Sequence, residues 1–194
     1  MPSTHEVINQ PPPLEGLNGY LADRTLVDAV AREGVAWGEA ELVEAGRFVW
    51  SETARGWGRA AEGNRPVLHT HDRYGNRIDR VEYHPAYHHL MTAAISRGLH
   101  GSAWADGRPG AHVLRCAKII VWSPVDYGHM CPLSMSYAVM PALRATPEVA
   151  ALWEPRLTSR DYDERDLPAN AKRGLTAGMA MTEKQGGSDV RTNS

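Results

Sequence analysis

The chain has 194 residues, 42% hydrophobic and 23% charged, enough to bury a real core in one domain or one and a half. Lys and Arg number 21 against 23 Asp and Glu, a net charge of −2 with neutral histidines, which gives no overall field for drawing in nucleic acid or an anionic membrane. Cys116 and Cys131 make no disulfide framework and read as reduced thiols of a cytoplasmic protein. The N-terminus lacks the basic start and apolar run of a signal peptide, and no stretch reaches the roughly 18 apolar residues of a membrane helix.

Residues 1 to 20 read as an extended arm. Pro11, Pro12 and Pro13 remove three successive backbone donors and fix φ near polyproline values, so the arm needs pinning by something else. A helix is expected over residues 21 to 33, with Leu21, Leu26, Val27, Val30 and Ala31 on one face and Gly34 closing it. A second is expected as one unit from Trp37 to about Ala61, its apolar stripe running through Leu42, Val43, Gly46, Val49, Trp50 and Thr53. From Pro66 the period shortens, and Tyr74-Gly75-Asn76 suggests the turn of a hairpin between 66 and 84. Pro85 can open an amphipathic helix that runs up to Gly98. Residues 111 to 123 predict a buried helix ending before Pro124. Residues 132 to 144 predict another, kinked or broken at Pro141, and a short helix follows from Pro147 to Trp153.

After Arg160 a charged linker leads into LTAGMAMTE, which alternates strictly. Leu175, Ala177, Met179 and Met181 share one face, and Thr176, Gly178, Ala180 and Thr182 share the other, the period of a strand. One strand makes no sheet, so the chain is expected to be a fragment of a longer protein or to pair this strand with another chain.

The strongest chemical signal lies at residues 179 to 190, MAMTEKQGGSDV, a strand running into a turn of small residues. Gly186 and Gly187 allow positive φ or close approach to a ligand, and successive N–H groups in such a turn can cradle an anion. The Ser188 hydroxyl suits a phosphate oxygen and that of Thr182 a polar ring edge. Met179 and Met181 offer polarizable surface to a flat aromatic system. An ordinary hairpin turn is the plainer alternative. The histidines are weaker candidates. His84 and His88 stand at i, i+4 with His89 adjacent, and His69 and His71 at i, i+2, but Pro85 separates His84 from the helix and no acidic third ligand is close, so no metal site is assigned. Cys131 is expected to be buried, and Met130, Met135 and Met140 to serve the core.

The loop resembles the flavin-binding strand and loop of acyl-CoA dehydrogenases, whose usual form is T-E-P-x-A-G-S-D. Its Lys184-Gln185-Gly186 version is similar to the AidB-like, adaptive-response branch of that family. THEVINQPPPLEGLNGY at 4 to 20, YHPAYHHLM at 83 to 91, MCPLSMSYA at 130 to 138 and LTSRDYD at 157 to 163 resemble segments of the same branch in the same order. The resemblance implies a mostly α fold: a helical domain over residues 21 to 160, then a linker and the first strand of a middle β-domain over 161 to 194. It also implies FAD bound between that β-domain and later helices of a homotetramer.

By position in the motif, Met179, Ala180, Met181, Thr182, Glu183, Lys184, Gln185, Gly186, Gly187 and Ser188 would line the cofactor. Thr182 would bond the flavin ring, with Met179 and Met181 beside it, and Ser188 would reach the pyrophosphate. The implied reaction removes an α-proton from an acyl-CoA with a glutamate base while the β-hydride passes to the flavin. That base lies beyond this motif, so no catalytic residue is assigned here, and this stretch is expected to be inactive alone. The branch also implies a link to the DNA alkylation response, with DNA bound through the C-terminal region and no membrane association. A helical interaction module that keeps the fold without the redox chemistry is the alternative.

Overall fold

The computed structural model describes residues 4–12, 14–180 and 182–192. Among the described residues there are seven α-helices; the first six contribute to one hydrophobic core, the seventh packs on the sixth, and a two-stranded antiparallel hairpin stands between the third and fourth.

α1 (Arg24–Arg32) begins where the Asp23 carboxylate accepts from the Leu26 N–H, a side-chain cap for an otherwise unpaired donor. The single long helix expected from Trp37 to about Ala61 is two: α2 (Glu39–Val49) and α3 (Glu52–Gly63). Ser51 causes the break. Its hydroxyl donates to the Phe48 carbonyl at 2.6 Å, closing α2, and accepts from the Ala54 N–H at 3.2 Å, opening α3. The periodic apolar pattern continues across such a break, which is why periodicity alone reads one helix.

The hairpin is where the turn signal placed it. β1 (Val67–His71) pairs with β2 (Arg77–Glu82), with an irregularity between His69 and His71, and Gly75 has φ +84°. The Asp72 carboxylate accepts from the Tyr74 and Asn76 N–H groups, fixing the turn. Every residue of both strands is exposed.

α4 (Pro85–Ser96) starts on its proline, with the His84 ring accepting from the Ala86 N–H. α5 (Ala111–Trp122) crosses α2 and ends in Trp122, the largest fully buried side chain. α5 is not buried all round: Val113, Cys116 and Ile120 face outward, while Arg115 and Lys118 point in. Lys118 Nζ meets Glu41 at 2.5 Å and the Arg97 carbonyl at 3.0 Å. Arg115 Nε donates to the Leu99 carbonyl at 2.9 Å, its guanidinium lying 3.9 Å from the Tyr137 ring centre.

α6 (Met130–Arg144) runs through Pro141 without the expected break. Proline cannot donate to the carbonyl four residues earlier. That carbonyl, on Tyr137, instead accepts from the Trp104 indole N–H at 2.9 Å, so the helix continues with its acceptor satisfied. α7 (Pro147–Leu157) extends past the expected end at Trp153 and through Pro155. Met130 and Met140 are buried as expected, and Met135 is half-buried. Cys131 is exposed, correcting its expected burial: it falls in the first turn of α6 on the face away from Met130 and Leu133. Cys116 is likewise a free, exposed thiol.

The described part of the arm is irregular, as its prolines require, and is pinned near its end. Asn18 donates to the Val43 carbonyl at 2.8 Å and accepts from Tyr20, the Gly19 N–H bonds the Gly46 carbonyl, and Arg55 reaches the Leu14 carbonyl. Beyond α7 the chain wraps around Asp163, whose buried carboxylate accepts from Arg165 and from the Arg173 N–H. No helix of the described residues is long and apolar enough to cross a membrane.

Candidate functional site

The segment from Leu175 to Ala180 leaves the body with neither helix nor ladder. The expected strand is therefore unformed, because none of the described residues supplies a partner. Two bonds hold its start to the body: the Leu175 N–H donates to the Arg156 carbonyl of α7 at 3.1 Å, and the Ala177 N–H to Ser136 Oγ of α6 at 2.9 Å. Leu175 and Ala177 are half-buried while Thr176 and Gly178 are exposed, so the period-two alternation survives at this end. It is lost at Met179, which is exposed together with Ala180; Met181 lies outside the described residues.

Thr182 to Ser188 form an exposed turn. The Gly187 N–H bonds the Glu183 carbonyl at 2.8 Å, the Asp189 N–H bonds the Gly186 carbonyl at 2.9 Å, and Gly187 has φ +53°, a conformation that favours glycine. Thr182, Glu183, Lys184, Gln185, Gly187 and Ser188 are exposed, and Gly186 is half-buried. The hydroxyls of Thr182 and Ser188 bond to no other described residue. Two hydroxyl donors on a tight, glycine-shaped turn are a donor set that fits the oxygens of a dinucleotide cofactor. Among the described residues, the clefts beside β2 and α4, between α3 and α4, and between α2 and α5 do not include this turn, which stands as an exposed edge of contact points.

Two other segments of the resemblance meet in space. His88, on α4, bonds through Nδ1 to the Tyr162 hydroxyl at 2.9 Å and lies 3.3 Å from Glu164. Tyr83 and Tyr87 stack at 4.4 Å beside them, and these groups form one wall of a cleft of about 620 Å³ that reaches Leu175 and Thr176. Burial, with Tyr83 close by, pushes the Tyr87 hydroxyl up to about 12, and burial with Tyr87 nearby pushes Tyr162 higher still. Both phenols stay protonated at neutral pH and serve as donors, not bases. The remaining histidine candidates do not converge. His84 caps α4, His69 pairs with Glu82 on the hairpin, His71 touches Thr70, and His89 packs 4.9 Å from the Trp57 ring. No three His, Cys, Asp or Glu side chains among the described residues are grouped to hold a metal ion.

Sequence reasoning missed one buried relay. Asp126 Oδ2 accepts from His129 Nδ1 at 2.7 Å, and His129 Nε2 accepts from the Trp122 indole N–H at 2.7 Å. Burial alone would raise the Asp126 carboxyl, but the hydrogen bonds from His129 outweigh it and hold it below the usual carboxylate range. Both ring nitrogens of His129 are committed, so the relay fixes the approach to α6 and offers no free base. The Asp126–His129 spacing at i, i+3 was the available signal.

Residues 9–164 match the model of the adaptive response protein AidB N-terminal domain. AidB of Escherichia coli strain K12, which bears an acyl-CoA dehydrogenase name, is 43% identical over 192 residues, 98% of this chain and 36% of the relative. Acyl-CoA dehydrogenase family member 11 of Caenorhabditis elegans is 28% identical over 177 residues, 88% of this chain and 27% of its own length. Among solved structures, Bd2924 in its apo form superposes with a TM-score of 0.80 at 28% identity, covering 97% of this chain and 37% of that one. Caenorhabditis elegans ACDH-11 in complex with C11-CoA gives 0.76 at 25% identity, over 97% of this chain and 32% of that one. The fold and the ordered segments are thus those of an N-terminal region of acyl-CoA dehydrogenase type. The chain belongs to the AidB N-terminal domain family, and it spans about a third of the length of the relatives it matches.

Proposed function

We propose that this chain is the N-terminal part of an AidB-like, FAD-dependent acyl-CoA dehydrogenase-type oxidoreductase, in which the turn from Thr182 to Ser188 holds the flavin cofactor. The observation that carries this reading is the pair of exposed hydroxyls, Thr182 and Ser188, which bond to none of the other described residues, on the turn after Leu175–Ala180. Bound FAD supplies a hydride acceptor. The chain's own part would be to bind and orient: Ser188 would donate to a pyrophosphate oxygen and Thr182 to the polar edge of the ring, with Met179 and Met181 offering polarizable surface beside it. Gly186 and Gly187 let the backbone come close, and Ala180, Glu183, Lys184 and Gln185 complete the segment. Residues up to about 160 form the helical domain, and 161 to 194 the linker and opening of a β-domain.

On the same reading the whole protein is a cytoplasmic homotetramer acting on an acyl-CoA-type substrate with a glutamate base outside this chain. It takes part in the DNA alkylation response, with DNA bound through its C-terminal region. Replacing Ser188 by alanine in the full-length protein tests the reading. Loss of one hydrogen bond to a charged acceptor weakens FAD binding by about 1.5–3 kcal/mol, roughly ten- to a hundredfold. Unchanged affinity in a titration with FAD removes the flavin role from this turn.

A further inference from the structure

The molecule uses one surface device repeatedly. An arginine lies on an aromatic face while a neighbouring carboxylate holds its guanidinium. Arg97 sits 4.2 Å from the Phe48 ring centre and bonds Glu44 through both Nε and Nη2. Arg108 sits 3.8 Å from the Trp37 ring and bonds Asp106 twice. Arg144 sits 5.0 Å from the Trp104 ring and bonds Glu154. Each combines cation–π attraction with a charge-assisted hydrogen bond.

A further cleft has the same ingredients and lacks the arginine. It measures about 580 Å³ and lies between the C-terminal end of α3, the start of α4 and the turn before α6. Its aromatic surface comes from Tyr83, Tyr87 and Tyr127, and Pro66, Pro124 and Pro132 add rigid apolar walls. Tyr127 is 78% exposed and presents its ring at the edge of the cleft. Two carboxylates line the cleft, Glu62 and Asp126, and no lysine or arginine does. Glu62 pairs with no other described side chain. Asp126 spends Oδ2 on His129 and also accepts a backbone bond from Gly128, so it adds negative charge to the cleft wall while Glu62 is its open acceptor. His84, the imidazole of the lining, turns Nδ1 to the Ala86 N–H. An anion entering here would meet two carboxylates; a guanidinium would meet carboxylates and ring faces in the combination the chain already uses elsewhere.

We propose that this cleft is a docking site for an arginine side chain presented by a partner protein. Charge complementarity argues for that occupant over the arm of a second copy, because the arm carries Glu6 and Glu15 and no Lys or Arg. A lysine would gain the charge but lose the flat stacking surface and the forked donors.

The test uses the full-length protein and a fluorescein-labelled peptide, Gly-Ser-Arg-Pro-Arg-Ser-Gly, followed by fluorescence anisotropy. Versions with lysine or with uncharged, flat citrulline in place of arginine are run beside it. The arginine peptide is expected to bind saturably, the lysine version several-fold more weakly, and the citrulline version without saturation. Glu62→Gln and Tyr127→Ala are each expected to weaken binding by about three- to tenfold, and both positions are exposed enough to leave the fold intact. Tyr74→Ala, at the equally exposed hairpin tip, is expected to change nothing. Absence of saturable binding, equal binding of the citrulline peptide, or indifference to both Glu62→Gln and Tyr127→Ala would overturn the proposal. So would an arginine of the same polypeptide seated in the cleft in a crystal structure of the full-length protein.

Discussion

The helical body and the tail from Leu175 onward treat their polar groups in opposite ways. In the body even charged and polar groups are drawn inward and bonded: Lys118 to Glu41, Arg115 to the Leu99 carbonyl, and the imidazole of His100 through Nε2 to the Ser159 carbonyl at 2.7 Å. Only His100 Nδ1 and Arg115 Nη2 remain buried without a partner among the described residues. In the tail, Thr182 and Ser188 are exposed and their hydroxyls bond to none of the other described residues. The body settles its structure from within. The tail is held at its root by two of its own N–H groups, bonded to the Arg156 carbonyl and to Ser136 Oγ, and on the proposed reading the Thr182 and Ser188 hydroxyls serve the flavin. Changes in the body should therefore move stability, and changes in the turn should move cofactor affinity.

The broadest test separates the two regions physically. The 194-residue chain expressed by itself should keep its helical signature and elute from gel filtration without bound FAD, because the turn provides contact points but no enclosing pocket. A fragment that stays yellow with stoichiometric flavin would erase the distinction. Next comes Trp122→Ala, which removes a fully buried ring stacked on Phe48 at 5.4 Å and strips His129 of its donor. It should cost about 3–5 kcal/mol in chemical denaturation, the scale of large-to-small changes in a packed core.

A pH experiment sharpens the same contrast. Burial, outweighing the hydrogen bond to the Ser159 carbonyl, lowers the His100 imidazole from 6.5 to about 4. Between those values the unfolded chain takes up a proton that the folded chain refuses. The stability linked to His100 is thus complete above pH 6.5, declines as pH falls, and is fully lost near pH 4. The loss is about 3 kcal/mol over that window. His100→Gln should flatten this acid limb in urea titrations at stepped pH, whereas Ser188→Ala should leave it unchanged. The smallest effect belongs to Thr182→Val, which keeps the shape and removes one neutral hydrogen bond. FAD binding to the full-length variant should weaken by about 0.5–1.5 kcal/mol, with a shifted flavin potential. Melts of the apo form should stay within about 0.5 kcal/mol of the parent, as for other exposed sites.

How far the sequence could be read follows from the range of the interactions involved. The hairpin, the proline start of α4 and the irregular arm rest on local turn and backbone chemistry, and each was legible. The division of α2 from α3 rests on a single serine hydroxyl serving two helices, and the unbroken α6 on an indole from outside it; neither shows in a periodic pattern. Cys131 was misplaced because the helical face it occupies depends on which neighbours pack there. The turn from Thr182 to Ser188 resembles a known motif in sequence, but what would enclose a cofactor there depends on which other parts of a protein surround it. The Asp126–His129–Trp122 relay went unread because two of its bonds involve a ring whose burial no spacing reports.

The hairpin has a practical side. Its strands lie wholly at the surface, and its turn is closed by Asp72 through bonds local to the turn itself. Extra residues spliced in next to Gly75 would lengthen a finger that the core does not lean on, at a closure entropy that grows only slowly with length. An epitope tag, or a folded reporter whose ends lie close together, could be carried there while the helices keep their places, giving a handle on this protein that leaves both ends of the chain untouched.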